Sequence, residues 1–134
     1  MIVSGQLVRE FWHAMNGNDW TAVAIRFLSE DFTSHWPQTE EVIEGPAQFA
    51  QVNGAFPGQG GWRFQVISLV AQEDQIVTDT RIVQDALAIV ARAITFHHVR
   101  NGLIHHQTEF WPDPYPVPEW RRGMLKTDTK QAFF

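Results

Sequence analysis

The apolar residues of this chain recur at helical spacing over its first third and then, from Trp62 onward, at alternate positions. Helices first and a run of long strands afterwards describe an α+β domain, not the alternating βαβ units of a parallel α/β fold. A chain of 134 residues has room for one such domain.

The helical part divides into three segments. Leu7, Val8, Phe11, Trp12 and Met15 form one stripe, with Ser4 as the expected N-cap and Asn16-Gly17-Asn18 as the stop signal. A second helix restarts after Asn18 or Asp19 and carries Trp20, Val23, Ala24, Phe27 and Leu28, so the two helices pack as a hairpin. A short strand through Phe32 and Trp36 stops at Pro37, and Gly45-Pro46 opens a third helix that turns Phe49 and Val52 inward. Pro57 to Gly61 is expected to be the most flexible stretch.

The rest reads as an antiparallel meander. Trp62 to Gln72 is apolar on both faces, so it is expected in the centre of the sheet and covered on both sides. Ile76 to Val83, Leu87 to Val99 and Leu103 to Trp111 follow, the last two joined by Arg100-Asn101-Gly102. Prolines at 112, 114, 116 and 118 make an extended strap. Residues 1–122 are expected to form the domain, and residues 123–134 a tail that is frayed or used at an interface.

Composition narrows the function. Ten basic against fifteen acidic residues give a net charge of −5, the wrong balance for tracking nucleic-acid phosphates. The absence of cysteine excludes disulfides, thiol nucleophiles and Cys-ligated zinc. No apolar run approaches the ~20 residues of a membrane span. Met1 to Gln6 has no basic n-region, so a cytoplasmic location is expected. Six tryptophans beside one tyrosine suit an apolar cavity, although a bulky core accounts for the same count.

Two stretches carry a resemblance. Val8-Arg9-Glu10-Phe11-Trp12-His13-Ala14-Met15 followed by Gly17-Asn18-Asp19-Trp20 is similar to the first helix and turn of the SnoaL-like branch of the NTF2-like proteins. Phe96-His97-His98-Val99-Arg100-Asn101-Gly102-Leu103-Ile104, then Glu109-Phe110-Trp111-Pro112-Asp113-Pro114, resembles its last hairpin. The resemblance spans roughly residues 5 to 122. It implies an α+β cone in which a curved antiparallel sheet wraps around three N-terminal helices and a central pocket, usually as a homodimer. The family's functions include polyketide cyclases, ketosteroid isomerase, limonene epoxide hydrolase, scytalone dehydratase and pure binding modules, so the fold does not fix the activity.

Face parity sorts the acid–base candidates. On the middle strand Asp79 and Arg81 share a face with Val77 and Val83. In the last hairpin a two-residue turn at Asn101-Gly102 groups Glu109 with Phe96 and His98. A three-residue loop with a bulge groups it instead with Thr95, His97 and Gln107. The resemblance selects the second register, because the family places its last-strand acid in the pocket and its cyclases carry an earlier polar residue where Thr95 stands. The expected site then has Glu109 as general acid/base, His97 as its partner, and Arg81 holding Asp79 or polarising a substrate oxygen. Trp12, Met15, Trp36, Trp62, Phe64, Thr95, Gln107 and Trp111 are expected to line the pocket, with Trp20 and Trp120 peripheral.

An acid inside an aromatic cone has its pKa raised by desolvation, and a histidine titrating near neutrality suits proton transfer to an organic substrate. The structural alternatives are a buried Asp79–Arg81 ion pair, an edge glutamate facing water and a core histidine. His97 and His105 with Glu109 could form a metal set under the bulged register, but the resemblance gives this no support, and no metal or cofactor is expected. The single tyrosine, Tyr115, follows the last strand, which argues against the tyrosine-dependent isomerase and dehydratase mechanisms that the family includes. Asp79 stands two residues before Arg81, where the epoxide hydrolase pattern has its acid two after. The expected function is binding of a small, mostly apolar organic molecule, with acid–base chemistry on it. The rival is a binding or assembly module whose cone is only a filled core.

Overall fold

The computed structural model describes residues 3–57 and 60–128. Helix α1 (Ser4–Met15) buries the expected stripe of Leu7, Val8, Phe11, Trp12 and Met15. Ser4 does not cap it: its hydroxyl donates to Asp74 Oδ1 instead, at 2.5 Å. Helix α2 (Trp20–Phe27) is capped by Asp19, whose Oδ1 accepts from the Ala22 amide at 3.0 Å. The turn between the helices is also an anchor. Asn18 exchanges hydrogen bonds with both backbone groups of Trp62, and Asn16 does the same with Phe64. Two side-chain amides thus act as a strand neighbour for the start of β3 and hold the helical hairpin against the sheet.

Strand β1 (Leu28–Trp36) leaves α2 without a loop, β2 (Glu41–Glu44) folds back on it, and α3 (Gly45–Ala55) follows with Pro46 in its first turn. Strands β3 (Trp62–Gln72), β4 (Gln75–Gln84), β5 (Ile89–Arg100) and β6 (Leu103–Phe110) are the meander. The six strands form one sheet in the order β2-β1-β6-β5-β4-β3. It is antiparallel except where β1 joins β6 in parallel. The sheet is curved and unclosed, and the helices fill its concave side. The core runs through Val8, Phe11, Phe27, Phe32, Ile76 and Ile104, each at most 1% exposed. Burying side chains of this size contributes ~1.5–3 kcal/mol apiece.

Strand β3 is an edge strand, contrary to the central position expected of it. Its inner face meets α1, where Gly5 sits against Ala71 and Leu69, while Ile67 and Val70 on its other residues stay 48% and 65% exposed. The central strands are β6 and β5, whose buried residues include polar ones: Thr95, His97, Gln107 and Glu109. Apolar content therefore pointed to the wrong strand. Residues 111–118 run without regular structure, as expected of a proline strap, and a short 3₁₀ turn covers Glu119–Arg121. Of the expected flexible stretch, residues 58 and 59 lie outside the described residues, as do residues 129–134 of the expected tail. No helix among the described residues is long and apolar enough to cross a membrane.

Candidate functional site

The hairpin register decides which side chains face the cone. Thr95 pairs with Glu109 and His97 with Gln107, which is the grouping expected of the bulged alternative. The device differs from the expected one. Asn101 and Gly102 form a two-residue turn, with φ of 52° and 75°, and the register shifts later, where Val99 pairs with Ile104 but His98 with His106. His105 is thus the extra residue of a bulge on β6.

The same ladder moves Asp79 and Arg81 out of the site. From Ile76 to Ile82 the buried residues of β4 are the even-numbered Ile76, Thr78, Thr80 and Ile82, with Val83 and Gln84 buried at the strand's end. Thr78 pairs with Thr95, so Asp79 and Arg81 face the other side of the sheet. There Asp79 is bound by Arg92 rather than Arg81, through Nε at 2.7 Å and through Nη2. β4 is apolar on both faces, with Ile76 beside Val77 and Ile82 beside Val83, so its sequence gave no parity signal.

A cavity of about 660 Å³ opens inside the cone. Trp12, Met15, Trp36, Trp62, Phe64, Gln107 and Trp111 line it, as does Glu109. Trp20, read as peripheral from sequence, lines it too, because Asp19 starts α2 so that this ring packs edge-on against Phe64. Phe11, Phe49 and Phe56 add to an aromatic wall, and no lysine, arginine or histidine among the described residues contributes to it. Thr95 stands behind the wall rather than in it.

Glu109 is the acid of this cavity. It is 7% exposed, and the Thr95 hydroxyl donates to its Oε2 at 2.6 Å. Burial pushes its pKa up to about 7, against smaller downward pulls from Thr95 and from the indole of Trp111. The Trp111 Nε1 is buried beside that carboxyl and has no other partner among the described residues.

His97 has a different part from the expected one. It is 2% exposed and does not line the cavity. Its Nε2 lies 2.8 Å from Thr78 Oγ1, which also accepts from Trp12 Nε1 at 3.0 Å, and Gln107 Nε2 lies 3.1 Å from its Nδ1. Since the Gln107 amide donates, Nδ1 accepts and the neutral ring donates from Nε2 to Thr78. Burial drives the His97 pKa down to about 3, so the ring stays neutral where free histidine would titrate. His97 therefore fixes two cavity side chains, Trp12 and Gln107, and makes no hydrogen bond to Glu109 among the described residues.

His105 faces outward, with its Nδ1 3.4 Å from Asp31 Oδ1, so His97, His105 and Glu109 do not come together as a ligand set. Among the described residues no group of three histidine, aspartate or glutamate side chains is placed to hold a metal ion. Sequence reasoning passed over Ser34, which lines the cavity and pairs with Gln107 in the parallel β1/β6 ladder. Its signal was available in the alternation of Phe32, Ser34 and Trp36 on one face of β1.

The chain matches the SnoaL-like domain family over residues 8–107. Its structure is similar to that of a Kribbella flavida DSM 17836 protein provisionally described as a ketosteroid isomerase, with 27% identity, a TM-score of 0.81, and coverage of 93% of this chain and 89% of that one. A limonene-epoxide-hydrolase-like enzyme of M. tuberculosis shares the fold at 16% identity and a TM-score of 0.67, covering 81% of this chain and 82% of its own. So does a protein of Jannaschia sp. CCS1 provisionally described as a SnoaL-like polyketide cyclase, at 17% identity and a TM-score of 0.63, with 83% and 89% covered. No curated protein matches the chain in sequence.

Proposed function

The chain belongs to the SnoaL-like domain family, and we propose that it binds a small, mostly apolar organic molecule in its cone and moves a proton on it with Glu109. The observation that carries this reading is a carboxyl buried in the wall of a 660 Å³ aromatic cavity and tuned to titrate at about 7. Sites for drug-sized ligands run ~300–1,000 Å³. A buried acid whose pKa sits near the working pH is suited both to give and to take a proton. The neighbours described as an isomerase, an epoxide hydrolase and a cyclase span the kinds of chemistry such a group serves.

In this reading Thr95 positions the carboxyl, His97 holds Gln107 and Trp12 in place, and Asp79 and Arg81 have no part in the reaction. The protein acts in the cytoplasm as a homodimer through the outer face of the sheet, where Phe96 is 47% exposed and packs edge-on with Phe110.

The test is a thermal-shift screen of small apolar organic compounds, followed by proton exchange on the compounds that bind. Binding at one hundred times Kd adds ~2.7 kcal/mol to stability. Wild-type protein should wash deuterium from D2O into an activated C–H position of a bound compound, and Glu109→Gln should slow this by at least ~100-fold with the fold intact. Equal exchange by both proteins removes Glu109 from the chemistry. A cavity that takes none of the compounds leaves the assembly-module reading in its place.

A further inference from the structure

The wall of the cavity carries charge of one sign. Glu41, Glu109 and Asp113 line it, and no basic side chain among the described residues does. Glu41 and Asp113 are exposed, and neither forms an ion pair among the described residues. Three neutral polar side chains of the wall are engaged within the fold. Gln107 donates to His97, Asn53 donates to the Phe49 carbonyl, and Gln38 accepts from the Trp111 amide. Around them stand five tryptophans: Trp12, Trp20, Trp36, Trp62 and Trp111.

An indole has a negative face, and its N–H is its only donor. Trp12 Nε1 donates to Thr78, and the Nε1 atoms of Trp36 and Trp111 are closed off inside the wall. These three rings therefore offer the cavity carbon and π-electrons rather than N–H. Carboxylates and indole faces both attract positive charge, whereas an anion would meet acids with no counter-charge. We propose that the cavity takes an organic cation, a protonated amine on an apolar body, whose ammonium pairs with the Glu109 carboxylate among the tryptophans. An ammonium buried without a counter-ion is costly, and Glu109 is the buried acid that offsets this. Thr95 occupies one of the ~four lone-pair sites of that carboxylate, which leaves others for the ligand. Pairing requires Glu109 in its ionised form, so the bound amine draws its midpoint below about 7 and sends its proton to solvent. This inference rests on the ligand-binding reading above and specifies the charge of its ligand.

1-Adamantanamine, 1-adamantanol and 1-adamantanecarboxylate test it, being cages of one shape that carry a cation, a hydroxyl and an anion. Their affinities are measured by calorimetry and thermal shift. At about pH 8 the amine should bind at least ~tenfold more tightly than the alcohol, and the carboxylate more weakly than either. From about pH 6 to about pH 8 the affinity of the amine should rise by up to ~tenfold as Glu109 ionises, while that of the alcohol does not rise. The amine itself stays protonated over this range, since such groups titrate at ~10. Glu109→Gln should remove most of the amine's advantage, with its pH dependence, and keep alcohol binding. The pH dependence of the wild-type protein decides the matter even if the variant fails to fold. Equal affinity for amine and alcohol, or tightest binding of the carboxylate, overturns the charge inference and leaves the cavity reading standing. An amine preference that is flat with pH and unchanged in Glu109→Gln overturns Glu109 as the counter-ion. Binding of none of the three overturns the cavity reading, and this one with it.

Discussion

Thr95 and Glu109 face each other across β5 and β6, and the Thr95 hydroxyl holds Glu109 Oε2 at 2.6 Å. That bond reaches the carboxyl from behind the cavity wall, since Glu109 lines the cavity and Thr95 does not. It favours the ionised form against the stronger effect of burial. Thr95→Val should therefore raise the Glu109 pKa further, by about one unit for a hydrogen bond to a charged group. A carboxyl titration of the variant checks this, and a downward move would contradict it.

Glu109 and His97 pull the stability of the protein in opposite directions as pH changes. Glu109 titrates near 4.5 when unfolded and about 7 when folded, so its stabilising contribution is complete below 4.5 and is lost as pH rises to 7. His97 titrates near 6.5 unfolded and about 3 folded, so its contribution is lost as pH falls from 6.5 to 3. Between 4.5 and 6.5 the two slopes oppose each other. Glu109→Gln removes one of them. Urea unfolding of both proteins should show the variant gaining on wild type between pH 4.5 and 7, by roughly 3 kcal/mol in all, with no further change above.

The Asp79–Arg92 pair lies on the opposite face of the sheet, with side chains 26% and 12% exposed. Asp79→Asn should cost about 1 kcal/mol of stability, because it leaves a partly buried guanidinium without its carboxylate. Ligand affinity and proton exchange should stay at wild-type values. A large loss of either would return Asp79 to the site.

The helices were legible in the sequence because one periodic signal fixed them, and the face of Glu109 because the resemblance to the SnoaL-like proteins chose between two registers that alternation left open. Leu7 to Met15 mark a single stripe, and Thr95, His97, Gln107 and Glu109 share parity once the register is chosen. The Asp79 face was not legible, since β4 carries apolar residues at both parities and only pairing with β5 orients it. The place of β3 at the edge was also hidden, because its inner residues are covered by α1 rather than by neighbouring strands on both sides. The role of His97 depended on contacts far apart in sequence. Trp12, Thr78 and Gln107 come from three different elements, and together they turn a titratable ring into a buried neutral support.

The central claim is that Glu109 is a buried acid poised near neutrality inside the cone. Its most direct test is a ¹³C NMR titration of the Glu109 side-chain carboxyl, assigned by its absence from Glu109→Gln. A midpoint at about 7 is expected. A midpoint near the ordinary glutamate value of 4.5 would contradict the account.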